Sequence, residues 1–325
     1  MKKILIIQTA FIGDVILATP VIEALHKTFP DAAIHFLLRK GNEGLLKNHP
    51  FVKQVIIWDK KKEKLKNLFR ILRQLRREHY DLAINLQRFL STGIFTSFCG
   101  ATARIGFKKN PLSLFFTHRI KHEIGTGKHE CERNLELIVP VAGGGWEKRP
   151  VLYPSSEDYA AVAFLKNESY VCMAPTSVWF TKQWPPEKWV ELISSLPKDT
   201  KVYLTGGPSD FGACEAIAAK FSGQVINVAG KLSFLESAAL MADATMNYVN
   251  DSAPLHMASA VNSPTTAIFC STIPEFGFGP LSSNSRIIET TENLDCRPCG
   301  LHGHRTCPKG HFRCAYNIDI KQFNS

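Results

Sequence analysis

Residues 3–20 read KILIIQTAFIGDVILATP, and this stretch decides the architecture. It opens on a run of isoleucine and leucine with no polar alternation, the pattern of a strand buried on both faces of a parallel sheet. Gly13 then permits a tight turn, and Asp14 stands where a helix over 15–27 begins. A strand that feeds straight into a helix is half of a βαβ unit. A chain built from such units folds as an α/β protein with a doubly wound sheet.

Working outward, the same alternation recurs. Strands are expected at 3–8, 33–38, 55–58 and 81–86, and again at 170–173, 201–205, 225–228, 245–249 and 265–270, with amphipathic segments between them. At 325 residues the chain is long for one core, and Gly143, Gly144 and Gly145 open a Gly- and Pro-containing stretch that ends at Pro154. The expected organisation is therefore two Rossmann-like domains, 1–150 and 151–325. They are expected to face each other across a ligand cleft at the carboxyl ends of both sheets.

Met1, Lys2 and Lys3 precede an apolar run, as in a secretory leader, but Gln8 and Asp14 interrupt it. A leader needs ~7–15 unbroken apolar residues and a membrane span ~20, so a cytoplasmic location is expected. Five of the nine cysteines, Cys99, Cys131, Cys172, Cys214 and Cys270, stand singly in apolar surroundings, as reduced thiols do in a core.

Charge is uneven. Residues 1–150 hold 26 Lys and Arg against 13 Asp and Glu, whereas 151–325 hold 13 against 16. One domain is thus suited to a polyanion: nucleic acid, anionic lipid or a phosphorylated glycan. The cations crowd residues 60–79, where Lys60, Lys61, Lys62, Lys64, Lys66, Arg70, Arg73, Arg76 and Arg77 accompany a leucine row at Leu65, Leu68, Leu72 and Leu75. A solvated helix face and a docking surface for phosphates or an anionic leaflet both fit. Arg104, Lys108, Lys109, Arg119 and Lys121 extend the theme.

Three strand-to-helix junctions carry residues fit for chemistry. With neither a G-x-G-x-x-G nor a Walker loop in the chain, a dinucleotide oxidoreductase or P-loop enzyme loses its case. At the first junction Asp14 is either a helix cap or a carboxylate at a strand's carboxyl end, able to take a proton from an attacking hydroxyl. At the second, Lys182 suits a pyrophosphate, with Thr176, Ser177 and Thr181 offering hydroxyls, and Gly206 and Gly207 after the next strand allow close backbone approach. The third is Asn250-Asp251-Ser252-Ala253-Pro254-Leu255-His256, a helix start whose N–H groups make an anion site. His256 fits a packing role equally well.

In family order, residues 12–20 (IGDVILATP), 179–185 (WFTKQWP), the Gly206-Gly207 pair and 250–256 (NDSAPLH) resemble the heptosyltransferases that build the inner core of lipopolysaccharide. The likeness runs over nearly the whole chain. Residues 276–282 (FGFGPLS) are similar to the segment in members that add a second heptose, and Gly230-Lys231-Leu232-Ser233 resembles the stretch near the adenine.

The resemblance implies a GT-B fold and an inverting transfer from ADP-heptose to a Kdo–lipid A acceptor. It implies Asp14 as catalytic base and a donor site at Thr176, Ser177, Thr181, Lys182, Gly206, Gly207, Asp251, Ser252, Ala253 and His256 in the second domain. The anionic glycolipid acceptor falls to the basic first domain, at Lys60, Lys61, Lys62, Lys64, Arg104 and Arg119, with peripheral contact at the cytoplasmic face of the inner membrane. No metal, cofactor or nucleic acid is implied. Ala253-Pro254 departs from the family, where many members carry glycine after Asp-Ser, which leaves room for another nucleotide sugar. A non-catalytic nucleotide- or nucleic-acid-binding protein is the reading of a different class, resting on the basic charge and the cysteine tail. In that tail Cys296, Cys299, Cys307 and Cys314, with His302, His304 and His311 among them, suit either a structural zinc or a reduced or partly disulfide-linked segment.

Overall fold

The computed structural model describes residues 1–323. For Lys64, one of the expected acceptor-side cations, the side chain lies outside the described residues.

The chain divides into two compact units, Met1–Tyr153 and Pro154–Ser325. In the first, strands β1 (Lys3–Ile7), β2 (Ala33–Arg39), β3 (Val52–Trp58), β4 (Leu82–Asn85), β5 (Ala103–Phe107) and β6 (His118–Ile120) form one sheet in the order β3-β2-β1-β4-β5-β6. Every pairing is parallel, with Ile4 beside Ile34 on one side and Leu82 on the other. In the second, β7 (Tyr170–Ala174), β8 (Lys201–Leu204), β9 (Val225–Asn227), β10 (Met246–Asn250), β11 (Thr265–Phe269) and β12 (Ser285–Glu289) stand in the order β12-β11-β10-β7-β8-β9. Read from the other edge this is the same order. Both are the Rossmann arrangement, in which chain direction across the sheet reverses between the first and fourth strands. Here those gaps are β1/β4 and β7/β10.

The central strands β4, β7 and β11 are buried from end to end and β1 from Ile4 on, which is why the apolar runs announced them. Three strands, β5 and the edge strands β6 and β12, were not expected. β6 is His118-Arg119-Ile120, short and largely exposed, and β12 buries only Ile288, so neither carries the signature of a central strand.

The expected single helix over 15–27 is two, Ile12–Ile16 and Thr19–Thr28. Pro20, in the first turn of the second helix, has no N–H to give to the carbonyl of Ile16, and the Thr19 hydroxyl donates to that carbonyl instead at 2.8 Å. The leucine row of the basic helix is corrected too. Helix Lys64–Arg77 buries Leu68, Ile71 and Leu75 in the core formed with Leu5, Trp58 and Phe95, while Leu65 is 70% exposed.

The cysteine tail is not an appendage. Phe312, Cys314, Ala315, Ile318 and Phe323 belong to the core of the second unit with Trp184 and Trp189, and the Trp184 indole donates to the Ala315 carbonyl at 3.2 Å. The five single cysteines are buried free thiols, as expected. No helix among the described residues is long and apolar enough to cross a membrane.

Candidate active site

In an open parallel sheet a ligand sits outside the carboxyl ends of the strands where chain direction reverses. In the first unit that position receives the loop after β1 and the loop after β4. Backbone and hydroxyl of Thr9 both donate to Gln87 Oε1, at 3.2 and 2.7 Å, which ties the two loops together. Asn42 Nδ2 donates to the Ala10 carbonyl at 3.1 Å, Lys60 Nζ to the Thr9 carbonyl at 2.6 Å, and Asn110 Nδ2 to the Phe89 carbonyl at 3.0 Å. The loop after β1 is thereby fixed from three sides, and Asn110 holds the loop after β4.

Asp14 emerges from this frame in the first turn of helix Ile12–Ile16. The expected N-cap position belongs to Phe11, since the helix starts at Ile12, and Asp14 lies within its first turn, where its carboxylate accepts from the Phe11 N–H at 3.1 Å as the return contact of a capping box. The capping role does not exhaust the residue. Burial, joined by the charge of Glu130, raises its pKa from 3.8 to about 6, against the pull of the Phe11 and Asp14 N–H groups and of Arg88. Glu130 itself is opposed by burial, but hydrogen bonding from His122 and the Arg133 guanidinium outweigh this and hold it below the usual range. The Arg133 Nε–Glu130 contact is 2.6 Å. A carboxylate with raised proton affinity, still part-exposed, is suited to general-base work near neutral pH.

In the second unit the loops after β7 and β10 occupy the equivalent place. Lys182, closing a short 3-10 turn, puts Nζ 2.6 Å from Asp251 Oδ2, and both side chains are nearly buried. Thr272 donates to the same oxygen at 2.6 Å. Asn250, last in β10, accepts from the Trp184 N–H at 3.0 Å and donates to the Ala174 carbonyl at 3.3 Å, clamping the two loops to each other. Ser252 then starts helix Ala253–Ala260 without a side-chain cap, and His256 lies buried one turn in, near the Phe278 ring.

Lys182, Asp251, Ser252 and Ala253 therefore stand on neighbouring strand ends, and Thr176 and Ser177 lie half-exposed in the same loop. Thr181 requires correction. It is buried, and its hydroxyl oxygen accepts from Ser271 at 3.0 Å and from the His304 N–H at 2.7 Å, so it clips the cysteine tail in place and offers no hydroxyl to a ligand. Gly206 and Gly207 follow β8, where the Gly207 N–H donates to Asp210 at 2.7 Å and a Cβ on Gly206 would strike Asp210. Local packing thus explains glycine at 206, whereas a Cβ on Gly207 would make only ordinary contact.

On the acceptor side, Lys61 and Lys62 are exposed and Arg119 lies on β6, and no ion pair is formed by these three side chains among the described residues. Arg104 is corrected: its guanidinium donates to the Phe115 and Ala101 carbonyls at 3.0 and 2.5 Å, which holds a turn. The sequence reading missed Gln87, Arg88, Glu130 and Thr272. Arg88 had a signal, being a cation two residues beyond an expected strand end. Glu130 and Thr272 had none, because their neighbours are distant in the chain.

Among the described residues no group of three or more His, Cys, Asp or Glu side chains is arranged to hold a metal ion. In the tail, burial followed by the nearby Cys307 pushes the Cys314 thiol up to about 11.

The comparisons with known proteins bear on this arrangement. A model of glycosyltransferase family 9 (heptosyltransferase) matches residues 68–308. Lipopolysaccharide heptosyltransferase 3 of Escherichia coli is 31% identical over 293 residues, 84% of this chain and 85% of that protein. Lipopolysaccharide heptosyltransferase 1 of Campylobacter coli is 25% identical, covering 90% of each. Among solved structures, E. coli ADP-heptose LPS heptosyltransferase II superposes over 100% of both chains with a TM-score of 0.78 at 21% identity. The family 9 glycosyl transferase of Veillonella parvula gives 0.80 at 21% identity, over 89% of this chain and 86% of that one. These likenesses carry the GT-B fold, and the non-catalytic reading gives way. With its two Rossmann sheets and charged strand-end loops, the chain belongs to glycosyltransferase family 9, the heptosyltransferases.

Proposed function

We propose that this enzyme transfers a heptose from ADP-heptose, with inversion, to the inner core of a lipopolysaccharide acceptor of the Kdo–lipid A type. The relatives named lipopolysaccharide heptosyltransferases support the substrate pair. The observation that carries the reading is the Lys182–Asp251 pair at 2.6 Å, at the strand ends where the fold binds its ligand.

In this reading the acceptor hydroxyl oxygen attacks the anomeric carbon of the donor, and its proton passes to the Asp14 carboxylate. The bond from that carbon to the diphosphate oxygen breaks, and the electron pair leaves with ADP. Attack opposite the leaving group inverts the centre. Lys182 and the N-terminal turn of helix Ala253–Ala260, with Ser252, oppose the charge that develops on the diphosphate. Asp251 keeps the Lys182 ammonium at the strand ends. Thr176, Ser177 and His256 line the donor side, whereas Lys61, Lys62 and Arg119, joined by Arg88, draw the anionic acceptor. Lys60, already donating to Thr9, shapes the loop that carries Asp14. The enzyme then works at the cytoplasmic face of the inner membrane, in peripheral contact with it.

The test is ADP release from ADP-heptose with Kdo–lipid A, with and without a first heptose, comparing wild type with Asp14→Ala. Acceptor-dependent release that collapses in the variant supports substrate and base together. ADP binding without release on either acceptor rejects the heptose assignment and directs the search to another ADP-sugar, with competition by UDP as the control.

A further inference from the structure

We propose that helix Lys64–Arg77 docks this enzyme flat on an anionic bilayer, with Leu65 and Phe69 entering the headgroup boundary and Arg70, Arg73, Arg76 and Arg77 on lipid phosphates. The proposal takes its purpose from the glycolipid-acceptor reading and identifies the surface that meets the membrane.

An ordinary solvated helix face pairs its cations with acids three or four residues away. The 14 residues of this helix contain no acid. The two acids that flank it are engaged, Glu63 with Lys66 at 2.6 Å and Glu78 with Lys3 at 2.9 Å. Arg70, Arg73, Arg76 and Arg77 have no ion pair or side-chain hydrogen bond among the described residues, so four guanidinium groups face solvent uncompensated.

The same outward face is apolar at one end. Leu65 and Phe69, one turn apart, are 70% and 65% exposed, while Leu68, Ile71 and Leu75 supply the buried face. Phe69, Leu72, Arg73, Arg76, Arg77 and His79 line an open groove of about 480 Å³. Beside this helix packs helix Leu90–Phe98, whose Phe98 meets the exposed Phe115 ring at 5.8 Å, and Leu114 next to it is 80% exposed.

Cations with solvent-exposed leucine and phenylalanine on one helix suit a lipid interface, where the apolar side chains leave water and the guanidinium groups meet phosphates. A nucleic acid would use the cations but gives exposed Leu65 and Leu114 nothing to enter.

The experiment is co-sedimentation of the full chain with vesicles of phosphatidylglycerol and phosphatidylcholine, and of phosphatidylcholine alone, across a salt series. Wild type is compared with Leu65→Ser/Phe69→Ser and with Arg70→Gln/Arg73→Gln/Arg76→Gln/Arg77→Gln. Binding is expected only with phosphatidylglycerol. The apolar pair should weaken it about tenfold at fixed salt, and the arginine set should flatten its salt dependence. Both variants should keep the wild-type unfolding midpoint and turnover on a lipid-free acceptor sugar. Absence of binding by folded wild type overturns the proposal. So does unaltered binding by the apolar pair, and equal affinity of that variant for single-stranded DNA would then identify a general polyanion surface. Vesicle binding that persists while no acceptor supports ADP release supports the docking surface and counts against the heptose reading alone.

Discussion

The two strand-end sites share a topology and differ in how they handle charge. After β1 and β4, the polar side chains of Gln87, Asn42, Lys60 and Asn110 bond to loop backbone, and Asp14, buried, has N–H groups, a nearby Glu130 and a weaker opposing Arg88. After β7 and β10 the charges face each other, with Lys182 on Asp251 and Thr272 supporting the same oxygen. The first arrangement buries a carboxylate near another acid, and Arg88 does not offset this, so it binds a proton readily. The second keeps a cation in place for a polyanionic ligand. One sheet order supplies the same shelf twice, and the loops write different chemistry on it.

The largest expected effect breaks the comparison outright. Asp14→Asn should lower kcat/KM by roughly 10²–10⁴ while leaving ADP affinity, read by calorimetry, unchanged. A parallel loss of ADP affinity would mean that the first site also holds the donor. Next, Lys182→Ala should cost about 10² in kcat/KM with a clear loss of ADP affinity. Since Asp251 acts through Lys182, the Asp251→Asn change in that background should add little, and full additivity would sink the pairing argument.

A smaller effect sharpens the difference in proton affinity. With the Asp14 pKa raised from 3.8 to about 6, kcat/KM should fall as pH drops through that upper value. The sign for stability is opposite. The folded state binds this proton more tightly than the unfolded chain, so the contribution is full below about 3.8 and is lost as pH rises through about 6. Asp14→Asn should therefore be more stable than wild type at neutral pH, by about 1–2 kcal/mol after allowance for its solvent contact, and no more stable in acid. Chemical denaturation at both pH values measures this. Smallest in activity is Thr181→Val, which leaves the His304 N–H and Ser271 hydroxyl without their acceptor. It should cost about 1–3 kcal/mol of stability and loosen the tail in hydrogen exchange, with donor affinity little changed.

Much of the framework was legible because it is local. β4, β7 and β11 are buried along their whole length and β1 everywhere after Lys3, so an apolar run suffices to find them. β6 and β12 escaped because an outer strand faces solvent and loses that run. Asp14, Lys182 and Asp251 were legible as charged residues just beyond strand ends. Thr181 was misread because a hydroxyl beside a lysine looks like a ligand group until His304, 123 residues away, is seen to donate to it. Leu65 was misread because helical spacing tells which residues share a face, and not how wide a stripe the neighbouring elements cover.

By itself, then, the sequence determined the alternation of strand and helix, the loops that carry charge, the basic character of the first half and the family motifs. These follow from side-chain periodicity and residue type, which are properties of the chain at short range. Tertiary structure alone decided that β4 lies beside β1 and β10 beside β7, and hence that Gln87 reaches Thr9, Lys182 meets Asp251, and Glu130 adds its charge to that of Asp14. Strand order is set by which buried faces pack together across the whole unit, and no local pattern encodes it.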